Sequence, residues 1–251
     1  MNRLRRWRAD LHVHTALSPC ADDDMSPWRV VAAAQVAGLD LIAVTDHNSC
    51  RQARAVVEVG RMADLAVIPG MEVQTREDVH LVCLFDTAEQ VERWGEEVYA
   101  HLPARPNPEQ TFGRQLLFDA CDRQVGREEC LLLTACDLGV EQVVQGVTAL
   151  GGVVIPAHVD RQAYGLVYTL GFFPPGLDLL AAEISGREAV EAVRTRFPQL
   201  GDIRLYSASD AHRLEEIGLH PSLFHLKEPT VAELGLAFRG MGGRRVAICP
   251  R

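Results

Sequence analysis

Residues 39–47 read LDLIAVTDH. The run Leu41–Val44 is apolar without interruption, and it delivers Thr45, Asp46 and His47 at its far end. An unbroken aliphatic stretch of this length suits a strand covered on both faces of a parallel sheet, not the alternation of a half-exposed strand. The same arrangement recurs along the chain. Strands are expected over 8–13, 39–45, 65–73, 79–85, 152–157, 178–184 and 203–208. Helices are expected over 27–37, 50–63 and 187–197. The first opens with Ser26 as N-cap and Pro27 at its first helical position, and stops at Gly38. Strands alternating with helices imply a parallel α/β sheet, either open or closed into a barrel.

Two stretches interrupt the rhythm. Residues 86–150 contain the proline-rich LPARPNPEQ and then two strand-like runs, QLLFDAC and ECLLLTA, around DRQVGRE. They read as an inserted hairpin followed by a helix near 139–150, and this insertion could act as a lid over the site. Residues 161–177 read as a loop-and-helix excursion. With 251 residues, the chain fits a single barrel domain spanning 1–251.

Hydrophobic residues make up 47% and charged residues 24%, which excludes a largely disordered or fibrous chain. The net charge of −9 disfavours long nucleic acid and anionic membranes as partners. The only dense basic run is Arg3–Arg8 at the N-terminus, which lacks the apolar segment of an export signal. No apolar run is long enough to span a bilayer. Seven scattered cysteines without a CxxC pair point to a reduced, cytoplasmic setting.

The polar residues fall where the apolar runs end. The first run leads into His12 and His14, the second into Asp46 and His47, and the third into Glu72. The fourth starts near His80, the fifth leads into His158, and the last into Asp210 and His212. Six of the nine histidines therefore sit at expected strand boundaries. In a barrel those ends converge on one rim, where active sites are built. His12 and His14 are two apart on a strand and share a face. Imidazoles and carboxylates suit zinc, manganese or iron, and a carboxylate such as Glu72 can bridge two ions.

The ordered set His12/His14, Asp46/His47, Glu72, His80, His158 and Asp210/His212 resembles the polymerase and histidinol phosphatase (PHP) superfamily over residues 10–212. The resemblance implies a distorted (βα)7 TIM-like barrel with two or three divalent ions. It assigns His12, His14, Glu72 and Asp210 to one ion, and Glu72, His80 and His158 to a second. His47 and His212 would hold a third. Many members carry a histidine or aspartate ligand shortly after the first pair. Here the segment is LSPCADDD, which leaves Cys20 or Asp22 for that role. Cys20 would favour zinc, and Asp22 manganese or iron.

The expected activity is a metal-dependent phosphoesterase acting on a small phosphorylated metabolite or short nucleotide, with Glu72, Asp210 and Asp46 in the reaction centre. Asp46 would either orient a ligand or take a proton, or else cap the following helix. Arg161, Arg187 and Arg76 are candidates to clamp the phosphate. The alternatives are a nuclease, a histidinol-phosphate phosphatase, or a non-catalytic metal-binding scaffold.

Overall fold

A computed structural model describes residues 3–186 and 188–249. Its elements run β1 (Arg5–Val13), α1 (Pro27–Val36), β2 (Leu41–Val44), α2 (Ala53–Met62), β3 (Ala66–Gln74), β4 (His80–Leu84), α3 (Ala88–Ala100), α4 (Glu109–Phe112), β5 (Leu116–Phe118), β6 (Gln124–Arg127) and α5 (Val140–Ala149). They continue with β7 (Val153–Pro156), α6 (Leu166–Leu170), β8 (Ala181–Ile184), α7 (Val190–Arg196), β9 (Arg204–Ser207), β10 (Ser222–Leu226), α8 (Val231–Phe238) and β11 (Arg245–Ile248).

A curled seven-stranded sheet of order β11-β10-β1-β2-β3-β4-β7 forms the frame, consistent with a TIM-like barrel. A parallel pair, β8-β9, stands beyond it. Backbone hydrogen bonds carry the curl round. The Val159 N–H donates to Glu183 O at 2.9 Å, after β7, and the His14 N–H donates to Ala211 O at 2.9 Å, after β9. The sheet is mixed, which corrects the all-parallel expectation. β1, β2 and β3 are parallel, but β4 runs antiparallel to both β3 and β7. That reversal explains why His80 starts its strand while the other ligand candidates end theirs. The start of β4 lies beside the end of β3, with Gln74 opposite His80.

Three apolar clusters hold the fold. The interior of the curl is filled by Leu11, Leu41, Ile68, Val82, Ile155, Tyr206 and Phe224, with Phe238 of α8 beneath. A second cluster packs α3 and α5 on the outer face, and a third packs α1 and α2 there. Along β1, Trp7, Ala9 and Leu11 point inward. The pairing with β2 then slips between Asp10 and Val13. The slip sends Val13 outward to the α1 side and turns His12 and His14 into the interior. A bulge beside a site re-aims side chains in this way.

The strand runs fall where expected, but the connecting segments do not. Helix α3, with a Thr87–Gln90 capping box, lies inside the stretch read as lacking a strand–helix unit. The hairpin is also different: β5 pairs with β6, which is QVGR, and ECLLLTA is an extended loop. Leu132 is buried there, and a side chain replaces the missing strand partner. Gln115 accepts the Leu132 N–H at 2.9 Å and donates to Glu128 O and Cys130 O. Strands β10 and β11 and helix α8 were not anticipated.

Ser26 does start α1, but its hydroxyl does not cap it. It donates to Asp122 at 2.6 Å, and Asp122 accepts the Trp28 N–H at 2.9 Å. The β5–β6 turn thus supplies the cap from 94 residues away. Asp122→Ala is expected to cost about 1 kcal/mol, the usual value for a lost cap, in urea unfolding. An unchanged midpoint would mean that water replaces the carboxylate freely.

All seven cysteines are unpaired. Among the described residues no helix is long and apolar enough to cross a membrane.

Candidate metal centre

The rim gathers the expected side chains into one buried cluster. Glu72, fully buried on β3, lies at its middle. Its Oε1 is 2.9 Å from His80 Nδ1, 3.2 Å from His158 Nε2 and 3.3 Å from His12 Nε2. Its Oε2 is 2.9 Å from His47 Nδ1 and 3.4 Å from His14 Nε2. Asp210 Oδ1 is 3.1 Å from His14 Nε2 and 3.3 Å from His12 Nε2. The His212 ring stacks on His14 with 4.1 Å between centroids. Three groups of donor atoms lie close enough together to share an ion: His12/His14/Glu72/Asp210, His47/Glu72/His80 and His14/His47/His212.

The donor set suits metal ions. Buried charges in proteins are paired or coordinate metals. Here the carboxylates of Glu72 and Glu183 are wholly buried, with imidazoles around them. Several buried polar atoms find no hydrogen-bond partner: Glu72 Oε2, His47 Nδ1, His80 Nε2 and His158 Nδ1. His47 Nδ1 and Glu72 Oε2 approach to 2.9 Å without hydrogen-bond alignment, so proximity there satisfies neither atom. Backbone strain gathers at the same rim. Asn48, His158, Tyr164 and Asp210 all have positive φ, which costs non-glycine residues about 1–3 kcal/mol each. The turn after His158 closes at Gly165, where any Cβ would collide with Arg161 O.

The electrostatics follow from this crowding. Burial opposes charge on Glu72, but His80, His12 and His47 outweigh it and hold its carboxyl well below the usual range. Burial likewise opposes charge on Asp210, and His12 and His14 overcome it. His14 goes the other way: burial, with His212 and His47 beside it, pushes its imidazole well below the ordinary value.

Near the third group the two candidates left open have different surroundings. Cys20 is a neighbour of His47 and His212; burial disfavours its thiolate, but these imidazoles bring its pKa down to about 6. Asp22 turns away, with its carboxylate 3.7 Å from Arg213. In the metal-free chain, Cys20 is therefore expected to alkylate fastest of the seven cysteines at pH 7. Its rate should rise through about pH 6, with zinc protecting it. Peptide mapping after iodoacetamide checks this, and slow labelling of Cys20 would contradict the lowered pKa.

Two other expectations change. Asp46 does not cap the next helix, whose N-cap residue is Gln52. Its buried carboxylate accepts from Thr15 N, Thr15 Oγ1 and Ser18 Oγ, each at 2.7 Å, which ties it to the loop after β1. Arg76 is engaged elsewhere, donating to Asp137 at 2.6 Å and to Gln142 at 3.3 Å beside the start of α5. Arg187 lies outside the described residues. Arg161, by contrast, reaches the cluster, where its Nη1 donates to Asp210 Oδ2. A cavity of about 420 Å³ opens there, lined in part by Cys20, Arg161, Asp210, His212 and Arg213.

Two participants escaped the sequence reading. Glu183 contacts His12 Nδ1 at 3.0 and 3.1 Å. Its signal was present: it is the charged residue in an otherwise apolar strand, in phase with inward-facing Ala181. Ser18 lies between Asp46 and His14, and nothing in its local sequence marks it.

The fold and this cluster define the class: an α/β protein built around a multinuclear divalent-metal site. The chain belongs to the PHP domain family, whose profile matches residues 10–164, and membership supports a metal-dependent hydrolase. A search of curated proteins found no match. Among solved structures, the lesion-specific endonuclease PfuEndoQ of Pyrococcus furiosus is similar at 19% identity and TM-score 0.71, over 96% of this chain and 58% of that one. An Endonuclease Q complex with a 27-mer duplex carrying an abasic lesion is similar at 17% identity and TM-score 0.64, with the same coverage. A candidate metal-dependent phosphoesterase from Bifidobacterium adolescentis is similar at 17% identity and TM-score 0.50, over 82% of this chain and 88% of that one. The chain thus spans 58% of the length of the endonuclease structures.

Proposed function

We propose that this chain is a metal-dependent phosphoesterase hydrolysing a small phosphorylated substrate. Strands β1–β4 and β7–β9 would be the staves of a (βα)7 barrel, and residues 86–150 would be an insertion acting as a lid. The lid reading draws on contacts at the rim: Asn48 donates to Leu132 O and Thr134 O, and the Leu116 N–H donates to Ala16 O. The observation that carries the function is Arg161 on Asp210, placed between the imidazole–carboxylate cluster and the cavity.

His12, His14, Glu72 and Asp210 would hold one ion; Glu72 and His80, with His47 or His158, a second; and His47, His212 and Cys20 a third. When bound, zinc, manganese or iron would supply Lewis acidity toward the phosphate oxygens and the attacking water. Arg161 would bind a non-bridging phosphate oxygen and orient the ester toward the cluster. Arg213, at the same mouth, would add a second cation. Asp46 would hold the loop after β1 and, through Ser18, orient His14. The cavity's volume falls within the span of small-ligand sites.

A second reading is cleavage of a nucleic-acid phosphodiester, and the fold likeness to the endonuclease over 96% of the chain favours it. Charge speaks against it. Other arginines are paired with acids: Arg51 with Glu128, Arg76 with Asp137 and Arg114 with Asp23. The run Arg3–Arg8 sits at the start of β1, the end remote from His12 and His14.

The test is hydrolysis by the metal-loaded chain of an aryl phosphate, its diester, and a duplex with one abasic site. The expected result is turnover of a small ester, abolished by chelator and by Asp210→Asn. Turnover of the duplex alone would establish the second reading. No turnover of any ester would leave a metal-binding scaffold.

A further inference from the structure

We infer that Glu183 and Ser18 are positioning residues that lock His12 and His14 with the proton on Nδ1 and the lone pair of Nε2 toward the ions, and that the Ser18 lock reaches a further ion that the Glu183 lock does not. The inference rests on the metal-centre reading above and concerns residues outside the proposed ligand set.

The His12 lock is direct. Glu183 is fully buried, and its two oxygens lie 3.0 and 3.1 Å from His12 Nδ1. An ionised carboxylate only accepts, so Nδ1 must carry the proton and Nε2 the lone pair. Glu183 is itself steadied by Tyr206, whose hydroxyl donates at 3.4 Å, and by the His158 N–H at 3.3 Å.

The His14 lock is relayed through a hydroxyl. Ser18 has one proton to give, and it donates that proton to Asp46 at 2.7 Å. An ionised Asp46 can only accept, and Thr15 donates to it twice more. The two lone pairs of Ser18 then receive His14 Nδ1–H at 2.9 Å and the His47 backbone N–H at 3.2 Å. One bond given and two received exhaust the capacity of the hydroxyl. His14 Nε2 is left facing Asp210 Oδ1 at 3.1 Å.

The locks differ in reach. With Nδ1 protonated, each of His12 and His14 has one lone pair to offer, and the two share one candidate ion group. Ser18 also fixes the backbone of His47, a member of two groups. Loss of the Glu183 charge should therefore weaken one ion, and loss of the Ser18 hydroxyl at least two. Partners behind a ligand are typically worth about 10–100-fold in metal affinity.

The experiment uses the zinc-loaded, 15N-labelled full chain. Long-range proton–nitrogen spectra of the imidazoles should show His12 and His14 protonated at Nδ1 and metal-bound at Nε2. Chelator competition with ion counting should show Glu183→Gln weakening one ion about 10–100-fold and Ser18→Ala weakening two or more. Ser18→Thr, which keeps the hydroxyl, should restore them. In Glu183→Gln the remaining amide oxygen can still accept the His158 N–H, so the second group should hold. Zinc on Nδ1 of either histidine overturns the inference, as do affinities unchanged in both variants or lowered equally for every ion. If Ser18→Ala does not fold, the wild-type spectra decide. A chain that binds no divalent ion overturns the metal-centre reading itself, whereas one that binds its ions through Nδ1 overturns only this inference.

Discussion

Glu72→Gln is expected to strip at least two ions from the centre and abolish hydrolysis, while the chain stays folded. Both Glu72 oxygens are committed, one within 3.3 Å of three imidazoles and the other within 3.4 Å of two more. Glutamine keeps one oxygen but replaces the other with an NH2, which can only donate. That group would face His47 and His14, or His80, His158 and His12, where a cation needs a lone pair. The loss also removes one negative charge from a site gathering several positive ones. Affinity for each affected ion should fall by more than the roughly 100-fold that bounds a supporting residue. Ion counting after gel filtration reads the stoichiometry, and circular dichroism reads the fold. An unchanged ion count would end the bridging role of Glu72 and break the link between the first two groups.

Phe224→Ala should produce the largest loss of stability. Phe224 is fully buried on β10 and faces inward. It meets Phe238 edge-on at 5.8 Å and Tyr206 at 6.2 Å. These rings pack beneath the apolar interior, and Tyr206 carries the floor up to Glu183. Truncating a buried phenylalanine costs about 3–5 kcal/mol, because transfer energy is lost and a cavity remains. Urea unfolding of the metal-free chain measures it. A loss below about 1 kcal/mol would mean that β10 and α8 are a loose appendage and not the floor of the curl.

The seven apolar runs and the histidines at their ends were legible because strand burial leaves a contiguous signature. His12, His14, His47, Glu72, His80, His158 and Asp210 do meet. The direction of β4 was not legible, since an apolar run reads the same whichever way it lies. Helix α3 was obscured by the proline-rich stretch that follows it. The loop 129–135 looked like a strand because Leu131 and Leu132 are buried, yet the Leu132 N–H donates to the side chain of Gln115 and not to a strand.

By itself, the sequence determined the chemistry on offer: which residue types stand at which strand boundaries, and hence a cluster able to hold several divalent cations. Those signals are local, written in the apolar runs and in the polar residues at their ends. Only the tertiary structure decided which atoms face one another. It set Cys20 rather than Asp22 beside His47 and His212, Asp46 against Thr15 and Ser18, and Glu183 behind His12. Those outcomes depend on a register slip in β1, the reversal of β4, and contacts such as that of Glu183 with His12, 171 positions apart, which no local pattern encodes.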